Sequence, residues 1–213
     1  LDTDYPNFDL FFFDSGSTDG SYLAVKEICR SKENVLLLRS RCTTPLTHAT
    51  NLAIATANDR AEYLALLDND VIVTRDWLKK LVEAIESDPS LGSCQSLLLR
   101  ANPCDTIDGT GDFMDVLGHA ISRDSGMQLV QVDTKALNLE IFSARSAAMI
   151  MRRYLYDSVG GLDEAFGIGF EDVDLGWRIR LAGLSTRLAV ESVVIHRAGS
   201  STGKLSRSHI RYL

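Results

Sequence analysis

The chain has 213 residues, of which 45% are hydrophobic and 24% charged, values typical of a globular protein with a core of its own. This length predicts one domain, or one domain with an appendage. The net charge of −7 disfavours nucleic acid as a partner, because proteins that follow a phosphate backbone carry clustered positive charge. An acidic protein that binds an anionic phosphate ligand needs a metal ion between the two.

Cysteine usage and hydropathy indicate the compartment. The four cysteines have no metal-binding spacing, and isolated thiols favour a reducing environment; they are Cys29, Cys42, Cys94 and Cys104. No apolar run approaches the ~18 residues of a membrane span, and no secretory leader is recognisable. We expect a cytoplasmic protein, with peripheral association at the inner face of the membrane left open. The first residues resemble a loop, which suggests that an N-terminal piece is missing.

The first part of the chain alternates between strand-like and helix-like segments. Strands are predicted at 8–14, 34–39 and 62–67, and helices at 20–30, 45–57 and 75–87. Thr74 is placed to cap the third helix, whose apolar residues recur with helical spacing. Alternation with short connections predicts an α/β domain with a mainly parallel sheet flanked by helices.

Beyond Leu91 the rhythm changes. Strands are predicted at 97–99, 129–132, 147–151, 186–190 and 193–196, with a Gly/Asp-rich irregular segment at 102–126. A helix is predicted from about Glu171 to Ala182 and closed by Gly183. We expect a single domain with two lobes, 1–95 and 96–213.

Two polar clusters follow predicted strands. Ligands in open α/β sheets bind beyond the carboxyl ends of strands, so Asp14 and Asp68 are candidates for one crevice. Small polar residues crowd the turn at 14–21, where a carboxylate, hydroxyls and turn amides suit a base and a ribose; the candidates after Asp14 are Ser15, Ser17 and Asp19. An ordinary strand-to-helix turn capped by Asp19 is the alternative, and taken alone the turn favours it.

The run Asp68-Asn69-Asp70 lies between apolar segments on both sides, which is unusual for two solvated carboxylates. Carboxylate oxygens are the ligands that Mg²⁺ and Mn²⁺ prefer, together with phosphate oxygens. One carboxylate on a cation and one on a ribose would suit a nucleoside diphosphate. The alternative is a polar turn with Asn69 at positive φ.

Acidic residues also begin the late helix, directly after a glycine-rich stretch at 160–169. The helix dipole favours Glu171 and Asp172 in a first turn, which is the ordinary explanation. A mobile wall that carries a carboxylate also suits a general base. His196 closes the last predicted strand, and a lone histidine is more often structural than a ligand.

Together these residues resemble the family 2 glycosyltransferases of the GT-A fold, particularly the rhamnosyltransferase-like branch. The turn at 14–21 matches the family's Asp-Asn-Gly-Ser-Thr-Asp-Gly-Ser with Ser15 in place of Asn, and Asp68-Asn69-Asp70 matches its D-x-D. The segment at 160–183 is close to the family pattern and is the most specific match. His196 with Gly199 and Ser201 fits its His-x-x-Gly-x-Ser ending, and Asn51 fits its helix asparagine.

The resemblance implies an inverting, metal-dependent transferase that moves a hexosyl or deoxyhexosyl group from a nucleoside-diphosphate donor to a hydroxyl of a glycan or a lipid-linked glycan. It implies that Asp14 contacts the base, that Asp68 contacts the ribose or the metal, and that Asp70 binds Mn²⁺ or Mg²⁺. It makes His196 a further ligand or phosphate contact, and Asp172 the acceptor of the proton. The remaining candidates are Ser15, Ser17, Asp19, Asn51 and Asn69 for the nucleotide, and Glu171 and Trp177 for the acceptor.

Two departures from the family pattern affect this interpretation. The expected Asn-x-Gly segment is replaced by residues 43–46, and the family's opening strand, which normally lies mid-sheet, is absent. An inactive nucleotide-sugar-binding relative is therefore the main alternative. A metal-dependent adhesion module fails on the spacing at Gly16 and Thr18, and a nucleotidyltransferase would need a glycine-rich phosphate loop with a lysine. The basic residues of the tail either cover the phosphates or are simply solvated; they are Lys204, Arg207 and Arg211.

Overall fold

The computed structural model describes residues 3–57, 60–137 and 139–197. The strands are β1 Leu10–Asp14, β2 Val35–Arg39, β3 Tyr63–Leu67, β4 Val71–Val73, β5 Leu91–Arg100, β6 Ile107–Gly109, β7 Asp112–Met114, β8 Ala120–Ser122, β9 Glu140–Ile141, β10 Ala148–Arg152 and β11 Ser185–His196. The helices are α1 Ser21–Cys29, α2 Leu46–Thr56, α3 Trp77–Glu86, α4 Arg153–Val159 and α5 Glu171–Leu181. No helix in these described ranges is both long and apolar enough to cross a membrane.

The central sheet is mixed and flanked by helices, which confirms the predicted α/β class. Its pairings were predicted to be mainly parallel, but only that of β5 with β11 is parallel. Its strands lie in the order β3-β10-β5-β11-β4, with β6 added beside β5 and β9 beside β11. The strands β3, β5 and β11 run in one direction, and β10 and β4 run against them. The predicted boundary between lobes at 95/96 falls inside β5, so this sheet is continuous across it. The roles of the two lobes stay a prediction.

The first two strands form a separate parallel pair. Leu10 lies opposite Val35 and Asp14 opposite Arg39. Within the described ranges β1 pairs with β2 alone, and β3 hydrogen-bonds only to β10. Within those ranges no strand joins this pair to the central sheet, and the absence of the family's opening strand stays a prediction.

The strand β10 divides the core into two layers because successive side chains of a strand point to opposite faces. Ala148 and Ile150 pack with α3, whose apolar stripe includes the fully buried Leu81 and Ile85. Met149 and Met151 face the opposite layer, which α2, α4 and α5 cover. Both faces of the sheet are thus covered by helices, and the polar ends of the strands are left for a site.

Several local predictions were wrong. Residues 129–132 contain a short 3-10 helix at Leu129–Gln131 instead of a strand. The two last strands are one, β11, whose pairing with β5 is irregular between Ala189 and Val193. The predicted cap is also wrong, because the helix begins after Asp76 and the Thr74 hydroxyl instead donates to the carbonyl of Val193, 3.2 Å away.

Two further differences concern elements that the sequence patterns missed. The segment at 102–126 was predicted to be irregular but contains the short strands β6, β7 and β8. The helix α4 was not predicted, although its two buried residues, Leu155 and Tyr156, belong to the second core layer. By contrast, the predicted end of α5 is confirmed, since Gly183 has the positive φ of 81° that a glycine tolerates without strain.

Close packing fixes the position of α5. A Cβ at Gly176 would lie 2.5 Å from the Cβ of Ser143 and 3.1 Å from the carbonyl oxygen of Phe142. The helix therefore contacts this backbone segment directly, and its first turn, with Glu171 and Asp172, is held against the end of the sheet.

Substitution Gly176→Ala is expected to destabilise the protein by about 1–3 kcal/mol, the usual cost of overpacking. The clash would outweigh the higher helix propensity of alanine, which favours it by about 1 kcal/mol. Urea unfolding of the variant and of Leu181→Ala, a control on the same helix at a residue 81% exposed, measures the difference. A Gly176→Ala protein as stable as wild type would show that α5 is not held by this contact.

Candidate functional site

Two carboxylates and a histidine converge at one end of the central sheet. One potential ligand atom from each of Asp68, Asp70 and His196 lies within 4.8 Å of the other two. The Nε2 atom of His196 is 3.3 Å from Oδ1 of Asp70. Two oxygens and an imidazole nitrogen suit Mn²⁺ or Mg²⁺, both of which accept oxygen ligands. These ligand atoms therefore fit the divalent cation that was predicted from the sequence.

The sheet itself creates this convergence. Asp68 and Asp70 occupy the tight turn between β3 and β4, and β11 runs antiparallel to β4 with His196 opposite Val71. The next amide, from Arg197, donates to the carbonyl of Asp70 over 2.9 Å. Residues that are about 126 positions apart in sequence thus become neighbours, because strand pairing brings their backbones within hydrogen-bonding distance.

The electrostatics of this cluster of Asp68, Asp70 and His196 favour a bound cation or a proton. Burial raises the pKa of Asp68, and the neighbouring Asp70 raises it further. A hydrogen bond with Asp108 raises the pKa of His196, and the charges of Asp70 and Asp68 act in the same direction. Crowded carboxylates disfavour one another's ionised form, so a bound cation would relieve this repulsion.

The second acidic group lies at the beginning of α5. Glu171 is only 3% exposed, and its Oε2 has no hydrogen-bond partner within the described part of the chain. Asp172 accepts hydrogen bonds from the backbone amides of Val173, at 2.9 Å, and Ser146, at 3.4 Å. Burial raises the pKa of Asp172 to about 6, with further contributions from Glu171 and Asp112. A carboxyl group with this pKa can take up and release a proton near neutral pH.

The two groups belong to one site. The amide of Asp68 donates to the carbonyl of Ala147, 3.1 Å away, and the adjacent Ser146 donates from its hydroxyl to Glu171 over 3.4 Å. The charge of Glu171 contributes to raising the pKa of both Asp68 and Asp172, as expected for a carboxylate near both. The structure therefore brings the cluster of Asp68, Asp70 and His196 close to Asp172, the carboxyl group whose pKa is raised.

The predicted nucleotide turn is organised around Asp14. This residue is 3% exposed and its Oδ2 lies 3.1 Å from Nε of Arg39, but without the geometry of a hydrogen bond. A buried oxygen without a hydrogen bond is uncommon, and it suggests that a ligand supplies the missing donor. The amide of Ser17 donates to the other oxygen, Oδ1, over 3.4 Å.

The remaining residues of the turn already have partners within the protein. The hydroxyl of Ser15 is hydrogen-bonded to the backbone of Thr44, and the carboxylate of Asp19 accepts from the amide and hydroxyl of Ser21. These hydrogen bonds lower the pKa of Asp19. These contacts are those of an ordinary turn, but the cap predicted for Asp19 in that alternative is wrong, because Gly20 precedes α1 and no side chain in the described ranges caps the helix. The nucleotide contacts of Ser15, Ser17 and Asp19 stay predictions.

The side chain of Asn51 connects α2 to the segment before α5. Its amide nitrogen donates to the carbonyl of Leu162 and to Glu164, and its oxygen accepts from the hydroxyl of Tyr156 and the amide of Leu162. Asn51 thus holds the glycine-rich segment in place, and a contact with the nucleotide stays a prediction. Asn69 is exposed between the two carboxylates of its turn, and its role also stays a prediction.

Two aromatic residues pack together beside the middle of α5. The ring of Trp177, 47% exposed, packs edge-on against Phe142 with the ring centres 4.9 Å apart. A shallow groove of about 320 Å³ adjoins this pair. Its lining residues are Phe113, Met114, Glu140, Ile141, Phe142 and Arg180. An open aromatic surface of this kind suits the acceptor side that was predicted for Trp177.

Sequence reasoning missed the groups that surround the site. Arg145 donates to Asp112 over 3.1 Å and lies 3.7 Å from the carboxylate of Asp108, which in turn contacts His196. The hydrogen bond with His196 lowers the pKa of Asp108. In the sequence, these residues are visible only as scattered acidic and basic positions within 100–145. Their spacing forms no recognisable motif, because strand pairing brings them together.

Comparison with known proteins gives the family. The family model "Glycosyl transferase family 2" matches residues 1–158. The chain therefore belongs to glycosyltransferase family 2, as its motifs predicted. The segment Gly199 to Ser201 and the basic tail lie outside the described residues, so that part of the resemblance has no structural counterpart here.

Two curated relatives agree with this placement. The chain is 27% identical over 204 residues to the O-antigen biosynthesis protein RfbC of Myxococcus xanthus, covering 93% of this chain and 16% of that protein. It is 36% identical over 64 residues, 30% of this chain and 21% of the relative, to the N-acetylglucosaminyl-diphospho-decaprenol L-rhamnosyltransferase of Mycobacterium tuberculosis. The rhamnosyltransferase agrees with the predicted branch. The matched residues make up about a fifth of the length of each relative.

Two solved structures confirm the GT-A fold. The mannosyltransferase PcManGT of Pyrobaculum calidifontis, in complex with GDP-Man and Mn²⁺, superposes with a TM-score of 0.66 at 17% identity over 94% of this chain and 51% of that one. GalNAc-T7 with UDP, GalNAc and Mn²⁺ gives a TM-score of 0.68 at 17% identity, over 88% and 37%. At this identity the likeness concerns the fold.

The raised pKa of Asp172 leads to a prediction about stability. Its pKa of about 6 in the folded protein compares with 3.8 for a free aspartate side chain, so the folded protein holds this proton to higher pH. Because the folded state binds more protons in this window, its stability falls as the pH rises through it. We expect the free energy of unfolding of wild type, relative to Asp172→Asn, to decrease by up to about 3 kcal/mol between about pH 4 and pH 7.

Urea unfolding at a series of pH values, with EDTA present, measures this difference. The reference variant is Asp157→Asn, which removes an exposed carboxylate from a surface ion pair with Arg153. A difference between wild type and Asp172→Asn that is constant or increases with pH would contradict the assignment of the buried proton.

Proposed function

We propose that this chain is the donor-binding and catalytic domain of an inverting glycosyltransferase that uses Mn²⁺ or Mg²⁺. It would transfer a hexosyl or deoxyhexosyl group from a nucleoside-diphosphate sugar to a hydroxyl group. The observation that carries this proposal is the meeting of Asp68, Asp70 and His196 with Asp172, through Glu171, at one end of the sheet. A glycosyl transfer with inversion needs a cation for the leaving diphosphate and a base for the acceptor hydroxyl side by side.

On the donor side, Asp70 and His196 would hold the cation, and Asp68 would contact the cation or the ribose. When bound, a divalent cation stabilises the negative charge that collects on the leaving diphosphate. The buried Oδ2 of Asp14, which has no hydrogen bond, would accept one from the base. The Mn²⁺ and nucleotide named for the two solved structures support this assignment of the donor side.

On the acceptor side, Asp172 would act as the general base. It would take the proton of the acceptor hydroxyl while that oxygen forms a bond to the anomeric carbon and the bond to the diphosphate breaks. One displacement from the opposite face inverts the configuration. A pKa of about 6 suits the role, because the group is then ionised near neutral pH and still basic enough to accept a proton.

The proposed acceptor class rests on an aromatic surface on the helix that carries the base and on the relatives. Trp177 and Phe142 offer an exposed aromatic surface, and such surfaces bind ligands with apolar faces and polar edges, which sugars have. The relatives named for O-antigen biosynthesis and for rhamnosyl transfer to a lipid-linked sugar support a glycan or lipid-linked glycan as the acceptor. The proposed setting is polysaccharide biosynthesis in the cytoplasm, at the inner face of the membrane.

A panel of nucleotide sugars tests the proposal most directly. Thermal shift with each sugar, with Mn²⁺ and with EDTA, would identify a donor through metal-dependent stabilisation, since a ligand that binds only the folded state stabilises it. An inactive nucleotide-sugar-binding relative is the second candidate, favoured by the break between β1 and β3. Release of sugar from the identified donor separates the two, because only an active enzyme would hydrolyse it slowly without acceptor.

Replacement of the base should separate catalysis from binding. We expect Asp172→Asn to reduce transfer at least about 10³-fold while donor affinity stays within about threefold of wild type, because the general base acts mainly in the transition state. Wild-type kcat should also decrease as the pH falls below about 6, where Asp172 becomes protonated. Steady-state transfer assays and calorimetric titration with the donor measure both quantities. Equal losses of transfer and donor binding would contradict this role.

Replacement of the proposed metal ligand Asp70 should weaken donor binding, which replacement of the base should leave nearly unchanged. With Mn²⁺ present, Asp70→Ala is expected to weaken donor binding at least about tenfold and to abolish the difference between Mn²⁺ and EDTA, since the cation would connect the protein to the diphosphate. Calorimetry with the donor measures this, and Asp172→Asn is the matched control for removing an acidic side chain from the same site. If neither Asp70→Ala nor EDTA changed the donor affinity, a metal-dependent donor site would be excluded.

A further inference from the structure

The best-defined contact near the proposed metal site involves a residue that was not assigned to it. Asp108, on β6, lies with its Oδ2 2.9 Å from Nδ1 of His196, whose other ring nitrogen faces Asp70. Both side chains are largely shielded from solvent, at 13% and 15% exposure. An ionised carboxylate can only accept a hydrogen bond, so Nδ1 is the donor and carries the proton.

The proton on Nδ1 has a consequence for the other nitrogen. In a neutral imidazole with a proton on Nδ1, the lone pair lies on Nε2, which is the atom that faces Asp70 at 3.3 Å. Two ligands that are each about 2.1 Å from a cation, at angles of about 90–105°, lie about 3.0–3.3 Å apart. The spacing between Nε2 and Oδ1 is therefore the spacing of two neighbouring ligands of one cation.

Asp108 is itself held in place. Its Oδ1 lies 3.6 Å from Nε of Arg100, and its Oδ2 lies 3.7 Å from a guanidinium nitrogen of Arg145. The backbone amide of Arg145 donates to Gln95 over 2.8 Å, and its side chain is also paired with Asp112. Gly109 leaves room for this arginine, since a Cβ there would lie 2.9 Å from the same guanidinium.

We propose that Asp108 is a positioning residue that fixes the tautomer and orientation of His196, so that Nε2 is presented to the divalent cation beside Asp70. The inference rests on the proposed metal site. A carboxylate behind a metal-binding histidine raises its basicity and orients its ring, and removal of such a partner typically lowers metal affinity about 10- to 100-fold.

The test is Mn²⁺ binding to the full chain without donor, measured by calorimetry or by electron paramagnetic resonance. Asp108→Asn keeps the shape of the side chain but removes its charge, and we expect at least about tenfold weaker binding. Asp124→Asn is the matched control, because Asp124 is a partly buried aspartate of the same segment, paired with Arg123 and away from His196. Its Mn²⁺ affinity should equal that of wild type. Tenfold weaker binding in both variants, or in neither, would overturn the proposal.

A double-mutant cycle separates positioning from simple electrostatics. Loss of the Asp108 charge also leaves Arg100 and Arg145 less neutralised, which would repel a cation even without His196. If Asp108 acts through His196, Asp108→Asn should change affinity less than twofold in the His196→Ala background. A full tenfold effect there would overturn the proposal while leaving the metal site intact. If Asp70→Ala and His196→Ala both bind Mn²⁺ as wild type does, the proposed function fails first, and this inference with it.

Discussion

Repulsion between carboxylates gathered at one end of the central sheet is the constraint on which the site depends. Asp68 and Asp70 lie in one turn, and Glu171 and Asp172 begin the helix that packs beside it. Removing such groups from water and placing them together is unfavourable unless cations or hydrogen bonds compensate. The raised pKa of Asp172 and the unpartnered oxygen of Glu171 show that the compensation is incomplete in the protein alone.

The protein supplies part of this compensation with fixed charges on one side of the site. Arg145 lies between Asp108 and Asp112, and His196 lies between Asp108 and Asp70, so acidic and basic groups alternate. Within residues 3–57, 60–137 and 139–197, no arginine forms a salt bridge with Asp68 or Glu171. The net negative charge is therefore concentrated at Asp68 and Glu171, beside the proposed cation site and the proposed base.

Close backbone packing gives this arrangement its precision. The helix α5 lies directly against residues 142–143 because Gly176 has no side chain. Asn51 holds the preceding glycine-rich segment through three hydrogen bonds and accepts a fourth from Tyr156 of α4. The Gly176 contact involves no charge, and of the Asn51 hydrogen bonds only the one to Glu164 involves an acidic group. Both contacts position the carboxylates. Sites held by secondary-structure elements are more precise than sites held by loops alone, which fits a reaction that requires a defined distance between base and leaving group.

Much of the outcome was determined by local sequence. The strand and helix alternation up to residue 87, the D-x-D turn, the acidic start of α5 and its end at Gly183 all follow from short-range patterns, since periodicity, turn chemistry and capping act over a few residues. The motifs were also sufficient to indicate the family and the candidates Asp70, His196 and Asp172. The tertiary structure decided the rest: that β10 inserts between β3 and β5, that residues 185–196 form one strand, and that Asp108, Asp112, Arg145 and Ser146 surround the site. These features depend on pairing between segments far apart in the chain, whose energies come from packing and burial that no local pattern contains.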